Sequence, residues 1–417
     1  MGDERLKVKN FFTLTDIDIK LGKFNVFIGE QGSGKSLLIK LIYFFRSILR
    51  LPIVNYLVAR NQINTYIYAH FDQLFNLDNI KQEFEITYYF NEEFNLVINN
   101  HSGLINLAYS NNLEQLYINS RDKLINQYNN IPKQIESDFL AMVNVSHELI
   151  SNGLSAEKQQ LFIPAGRTFL VSLQNNLFTL LDQNNINKKP LILDKLLLAF
   201  GDEYQRAISA FATSLDTIAE HTRSSLIQFQ KIHQQEWFED TSQKILKGKY
   251  IPDNFGGFIR QKHGTVRPWN ASTGQQEFLP VYLTLHNILY RKISVPAGNL
   301  YIEEPEAHLY PSAQKDILEL LVFTTNIIKS ESLCITTHSP YILTVLDNLI
   351  MANEVKDKLP ESYNKNLLVK FEDVHAYYIN GNANSLMNSE YRIIDADKLD
   401  QVSDEISNEF SKMAELL

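Results

Sequence analysis

The spacing of apolar and polar positions changes several times along this 417-residue chain, and each change marks an element. Residues 14–19 alternate polar and apolar as a half-exposed strand does, and the run 6–12 just before them completes an opening hairpin. Phe24-Asn25-Val26-Phe27-Ile28 is apolar and rich in β formers, the mark of a buried strand, and residues 37–45 then turn helical in composition. The segments 84–90, 94–98 and 104–109 are separated by Asn-rich turns and predict an antiparallel subsheet. From about Ile135 to Lys247 the pattern becomes amphipathic at helical spacing, most clearly over 195–230. It is a helical subdomain, either a lever or partner surface or simply packing, and Pro190 and Gly201 interrupt it too soon for a long coiled coil. Residues 247–267 read as a β-hairpin, 299–302 and 333–337 as buried strands, and the region after Leu367 as two or three strands and a terminal helix. The outcome is an α/β chain in three parts, 1–134, 135–246 and 247–417, with no internal repeat.

Between the strand at 24–28 and the helix at 37–45 stands Gly29-Glu30-Gln31-Gly32-Ser33-Gly34-Lys35-Ser36. Strand, glycine loop, helix is the context that a phosphate-binding loop requires. The glycines let backbone N–H groups turn inward around phosphates, and the helix N-terminus adds partial positive charge. Lys35 is expected at the β- and γ-phosphates and Ser36 on Mg²⁺. With 16 glycines in the chain, chance is a poor source of this spacing.

The strand at 299–302 runs into Glu303-Glu304-Pro305-Glu306-Ala307-His308. Ligands gather at the carboxyl ends of parallel strands, which would put Glu303 on Mg²⁺ and Glu304 on the attacking water. Taken alone, the same residues would serve as an acidic cap for the helix beginning near Pro311; the phosphate loop favours catalysis. The strand at 333–337 ends in His338-Ser339-Pro340, and a histidine there can sense a γ-phosphate and orient water.

A further segment, Ala271-Ser272-Thr273-Gly274-Gln275-Gln276, completes an ordered set. Phosphate loop, STGQQ, EEPEAH and THSP resemble the ATP-binding-cassette ATPase head, and within it the OLD-like and SMC/RecF-like branch. That resemblance covers most of the chain, least tightly in the middle. It implies a P-loop NTPase of ABC ATPase type, a mixed sheet with an antiparallel subsheet and a helical insertion. It implies ATP and Mg²⁺ as cofactors, bound by Gly29, Gln31, Gly32, Ser33, Gly34, Lys35 and Ser36, with Glu303 beside Ser36 on the metal. Glu304 becomes the catalytic glutamate and His338 the switch histidine. Ser272 and Gly274, with Gln275 beside them, become signature residues that meet the γ-phosphate of a facing subunit. Two heads would then close on two ATP molecules, as a homodimer or within a higher oligomer. Where many cassette ATPases carry Asp after the catalytic glutamate, this chain has Tyr310.

Other positions stay open on sequence. Arg167, in Pro164-Ala165-Gly166-Arg167, either approaches nucleotide or partner or sits on the surface after a turn. Gln82 or Gln73 is the candidate link between head and lever. Phe11 and Phe12 are expected in the core of the first hairpin rather than on adenine. Lys247, Lys249, Arg260, Lys262, His263 and Arg267 form either a solvated basic hairpin, the favoured reading, or a phosphate contact.

Composition narrows the function classes. Apolar residues are 44% and charged ones 21%, ordinary for a globular protein, and a formal net charge of −9 argues against a surface that attracts DNA everywhere. A single cysteine, Cys334, excludes a disulfide framework and a zinc hook. The N-terminus lacks a secretory pattern, and Lys40, Arg46 and Arg50 break the apolar run 37–54, so a cytoplasmic location without a membrane span is expected. Glu372, Asp373, Asp395 and Asp397 lack the glycine-framed arrangement of a TOPRIM nuclease, which OLD-family proteins often carry. The expectation is therefore an ATPase that controls a separate effector, a nuclease or toxin, in prokaryotic anti-phage defence of the Septu or PARIS kind. The alternative is an SMC/RecF-like ATPase of DNA repair or recombination.

Overall fold

A computed structural model of the chain describes residues 4–48, 63–77, 80, 82–115, 118, 160–173, 194–218, 226–290 and 298–395. The opening hairpin forms as read: β1 (Arg5–Phe11) pairs antiparallel with β2 (Leu14–Lys20). Its turn sends the two phenylalanines different ways. Phe11 is fully buried, whereas Phe12 adopts a left-handed φ of 50° and is 42% exposed, so only one of them is core. The strands β4 (Phe84–Tyr89), β5 (Asn95–His101) and β6 (Leu104–Tyr109) join this hairpin in one antiparallel sheet ordered β2-β1-β4-β5-β6.

The second sheet carries the site. Its strands are β3 (Phe24–Ile28), β7 (Gln160–Ile163), β11 (Asn299–Glu303), β12 (Ser332–Thr337), β13 (Val374–Ile379) and β14 (Ala383–Ser385), in the order β14-β13-β3-β12-β11-β7. All neighbours are parallel except the edge pair β13–β14. The pairings Ile28 with Thr337, Glu303 with Thr336 and Ile302 with Ile163 bring the carboxyl ends of four strands to one edge. Sheet period 2 sorts the side chains. Val26, Ile28, Leu300, Ile302, Leu333 and Ile335 face one core, while Phe27, Tyr301 and Cys334 face the other.

Helix α1 (Lys35–Ile48) fills the second core, between the two sheets, with α2 (Ile63–Phe75) beside it. Leu38, Ile39, Leu41, Ile42, Phe44, Phe45 and Ile48 are all buried, each stabilising the fold by about 1.5–3 kcal/mol. At the far end of α1, Arg46 donates to Glu4 (2.6 Å) and to Ser332 at the start of β12 (2.5 Å). The helix that begins at the phosphate loop is therefore tied to both sheets at its other end, where a cation also suits the helix dipole.

The first core is covered by α3 (Lys195–Ile218), α4 (Leu226–Leu246), α5 (Thr273–Tyr290), α6 (Pro311–Ile327) and α7 (Pro340–Glu354). Residues 135–159, 174–193 and 219–225 of the expected helical insertion, and the expected terminal helix with Asp397, lie outside the described residues. The hairpin expected over 247–267 is a three-stranded sheet, β8 (Lys249–Ile251), β9 (Phe258–Gln261) and β10 (Gly264–Val266). The extra strand arises because Asp253 folds the 253–257 loop: its Oδ1 accepts the N–H groups of Phe255 and Gly257, and its Oδ2 pairs with Arg267 at 2.6 Å. After β14 the described residues add one further short antiparallel pair, β15 (Met387–Asn388) with β16 (Ile393–Ile394). Among the described residues no helix is long and apolar enough to cross a membrane.

Candidate nucleotide site

The loop Gly29–Ser36 leaves the central strand β3 at the carboxyl edge of the sheet and ends in the first turn of α1. Its first residue must be glycine because a Cβ there would collide with the Ile379 carbonyl of β13. Gly34 has φ of 100°, and a Cβ there would stand 2.5 Å from Leu14 in the hairpin. Lys35 is buried, its ammonium donating to the carbonyls of Gly29 (2.9 Å) and Glu30 (2.7 Å) and to Ser33 Oγ (3.4 Å). Burial lowers its pKa, and the charges of Glu304 and Glu306 work against that shift. Gln31, Gly32 and Ser36 face solvent or lie near it.

Two strands away, on the order of 10 Å by strand spacing, β11 delivers Glu303 and Glu304. Glu303 is 5% exposed; its Oε2 accepts the Ala165 N–H at 3.1 Å. Its Oε1 is buried without a hydrogen bond of good geometry, and the Ser36 side chain is close enough to act on the carboxylate. Burial raises its pKa, countered by Lys40, the Ala165 N–H and Ser36. Glu304 follows with a left-handed φ of 43°, a strained conformation for a residue with a side chain. That turn lifts its carboxylate out of the strand line to 3.3 Å from His338 Nε2. Its N–H meanwhile donates to the Thr336 carbonyl at 2.9 Å.

The neighbouring strand end is held by Glu306, which sequence reasoning assigned no role. Its Oε1 accepts from Thr337 Oγ1 (2.6 Å) and from the His338 N–H (2.8 Å). Glu306 thereby locks the turn that presents His338 to Glu304. Its place two residues after the glutamate pair, in a segment with three acidic side chains, was the available signal. Ser339 caps α7, accepting the Tyr341 N–H.

The signature segment opens α5. Ser272 and Thr273 are exposed at the helix start, and a Cβ on Gly274 would lie 2.6 Å from the His308 carbonyl. The helix start thus packs against the turn that follows the glutamates. Gln275 is buried, its amide donating to Leu246 O at 2.6 Å while its Oε1 accepts from the Ser272 N–H and hydroxyl. A glutamine three residues into a helix reaches back to its cap in this way, so Gln275 organises the turn that carries Ser272.

Arg167 corrects the reading of a surface residue after a turn. Its side chain is fully buried, with Nε 2.9 Å from Glu277 of α5 and the guanidinium donating to the carbonyls of Pro164 (3.0 Å), Glu303 (2.7 Å) and Glu304 (2.9 Å). Gln73 lies exposed on α2 and Gln82 exposed just before β4. Among the described residues no three His, Cys, Asp or Glu side chains cluster to hold a metal by themselves.

The family model described as AAA ATPase domain matches residues 4–343. No curated protein matches the sequence. Among solved structures, an SMC head bound to the C-terminal winged-helix domain of ScpA is similar over 94% of this chain and 99% of its own, at 14% identity and a TM-score of 0.43. The SMC head domain from Thermotoga maritima is similar over 92% of this chain and 98% of its own, at 10% identity and a TM-score of 0.37. The recombination mediator protein RecF with ATPγS is similar over 92% and 99%, at 11% identity and a TM-score of 0.34. Likenesses this distant carry no argument about activity. The family match spans most of the chain and includes the phosphate loop, the signature segment, the glutamate pair and His338: this chain belongs to the AAA ATPase domain family and is an ATPase.

Proposed function

We propose that the carboxyl edge of the parallel sheet is one half of an ATP site and that Ser272 and Gly274 of a second copy supply the other half. The observation that carries this is the contrast between the two halves. Lys35, Glu303, Glu304 and His338 converge at aligned strand ends, whereas Ser272 stands exposed at a helix N-terminus, braced from behind by its own chain. Such an N-terminus suits an anion brought by a partner.

In this reading Lys35 and the inward N–H groups of Gly29–Ser36 bind the phosphates. Glu304 takes the proton of the attacking water, and His338, 3.3 Å away, holds that water and the carboxylate in register. Mg²⁺ fits the buried Oε1 of Glu303 and the nearby Ser36 hydroxyl, because this ion takes few protein oxygens and completes its shell with water and phosphate. Bound there, it would neutralise charge on the phosphate oxygens.

Paired heads that open after hydrolysis are a mechanical switch, and we assign its output to a separate effector, a nuclease or toxin, in cytoplasmic anti-phage defence. The Glu303-Glu304-Pro305-Glu306-Ala307-His308 form, which resembles the OLD-like branch, supports this reading. One feature favours a second reading, DNA repair or recombination: Arg260, Lys262 and His263 are exposed on the β9–β10 turn, close in sequence to the signature. Co-purification from cells expressing the native neighbouring genes, together with ATPase assays with and without DNA, separates the two. A stoichiometric protein partner with DNA-independent turnover supports the effector reading. Salt-sensitive DNA stimulation without a partner supports the other.

A further inference from the structure

We infer that Arg167 is a positioning residue of the ATPase reaction, coupling the signature helix to the backbone of the catalytic glutamate. The inference rests on the two-copy site proposed above. Arg167 joins three segments through one side chain. It begins at the end of β7, donates to the carbonyls of Glu303 and Glu304 at the end of β11, and faces Glu277 in α5. Thr168 adds an N–H toward Glu277 Oε1 at 3.4 Å. Glu277 lies five residues after Ser272, about 7.5 Å along the helix axis.

A guanidinium is a planar fork with a fixed angle between its donors. It cannot follow Glu277 without moving the carbonyls it holds. Glu304 is sensitive to such movement because its left-handed turn is strained and its N–H is already committed to Thr336. Two backbone anchors, one from β12 and one from Arg167, set the direction of its side chain. When a phosphate draws on Ser272, the displacement of α5 reaches Glu304 through Glu277 and Arg167, within one chain. Neither Arg167 nor Glu277 is placed on a phosphate; Arg167 meets Glu303 and Glu304 only at their carbonyls, so its loss falls on chemistry more than on ATP binding.

The test uses the full chain. Glu304→Gln is first checked for an ATP-dependent dimer by light scattering; if none forms, the two-copy reading fails, whatever Arg167 does. With that dimer established, Arg167→Lys is measured for turnover, and Glu304→Gln with Arg167→Lys for ATP-dependent pairing. The expected result is a 10- to 100-fold fall in kcat with KM for ATP within about twofold of wild type, and pairing retained. Should Arg167→Lys fail to fold, Arg167→Met with Glu277→Met removes both buried charges together and is scored by the same split between kcat and KM. Turnover near wild type in the variant that folds overturns the inference. So does a parallel loss of ATP binding, which would make the contact merely structural.

Discussion

His338 Nε2 stands 3.3 Å from Glu304 Oε1, across the gap between two adjacent parallel strands. Nothing in either local sequence fixes this distance; strand register and the left-handed turn at Glu304 do. Replacing Glu304 with Gln keeps the size of the side chain and removes the base. Turnover is expected to fall about 10²- to 10⁴-fold while ATP binding persists, and ATP should hold the protein as a dimer. Steady-state assays with size-exclusion chromatography check both; a monomer in saturating ATP contradicts the pairing.

Glu306→Ala should lower kcat about tenfold and also destabilise the fold by about 1–3 kcal/mol, because the Thr337 hydroxyl and the His338 N–H lose a buried acceptor. Glu306→Gln retains an acceptor oxygen and should recover most of the stability. Thermal melts beside kinetics separate the two effects.

Gly29→Ala tests the packing of the loop and is read by stability, since Gly29 belongs to the proposed phosphate loop and its carbonyl also holds Lys35. The added methyl meets the Ile379 carbonyl, which is backbone and cannot swing aside. A loss of about 1–3 kcal/mol in chemical denaturation is expected. Gly32→Ala, where a Cβ meets nothing within 4 Å, is the comparison; its cost should come only from the left-handed φ.

Stability should decline with acid before any carboxylate-driven unfolding. Burial among Phe211, Tyr282 and Tyr290, 3.4 Å from Glu239, pushes the His286 imidazole from 6.5 down to about 4. The folded pKa is below the unfolded one, so the contribution is complete above pH 6.5 and is lost as pH falls through 4. Its size is at most about 3 kcal/mol. Burial lowers His70 and His375 as well, with the same sign. Burial raises Glu239, partly opposed by its hydrogen bond from Tyr282; its contribution has the opposite sign and grows as pH falls through the raised value towards the ordinary 4.5. Urea midpoints from pH 7 to 4.5 should fall, and fall less in His286→Gln.

Local chemistry was legible in sequence wherever it depends on neighbours along the chain. The loop at Gly29–Ser36 declared itself because glycine spacing, flanking strand and following helix all lie within some twenty residues. Glu303, Glu304 and His338 could be named as candidates because each ends an apolar strand. The role of Arg167 could not be read, since it depends on full burial against α5 and β11, segments more than a hundred positions away. The capping role of Gln275 was hidden for the opposite reason: its motif resembled a ligand set, while the contacts of its side chain, to Ser272 and the Leu246 carbonyl, come from the helix cap and a distant segment.

β3 pairs with β12 on one side and β13 on the other. Asn25 of β3 and its neighbour Cys334 are 309 residues apart in the chain. At about 5–20 residues per second, a ribosome takes on the order of 15–60 s to make that interval. For that time the most apolar strand of the early chain has emerged without either of its sheet partners. The carboxyl edge that gathers Lys35, Glu303 and His338 therefore cannot assemble until β11 and β12 have been made, and β3 waits for both of its neighbours until then.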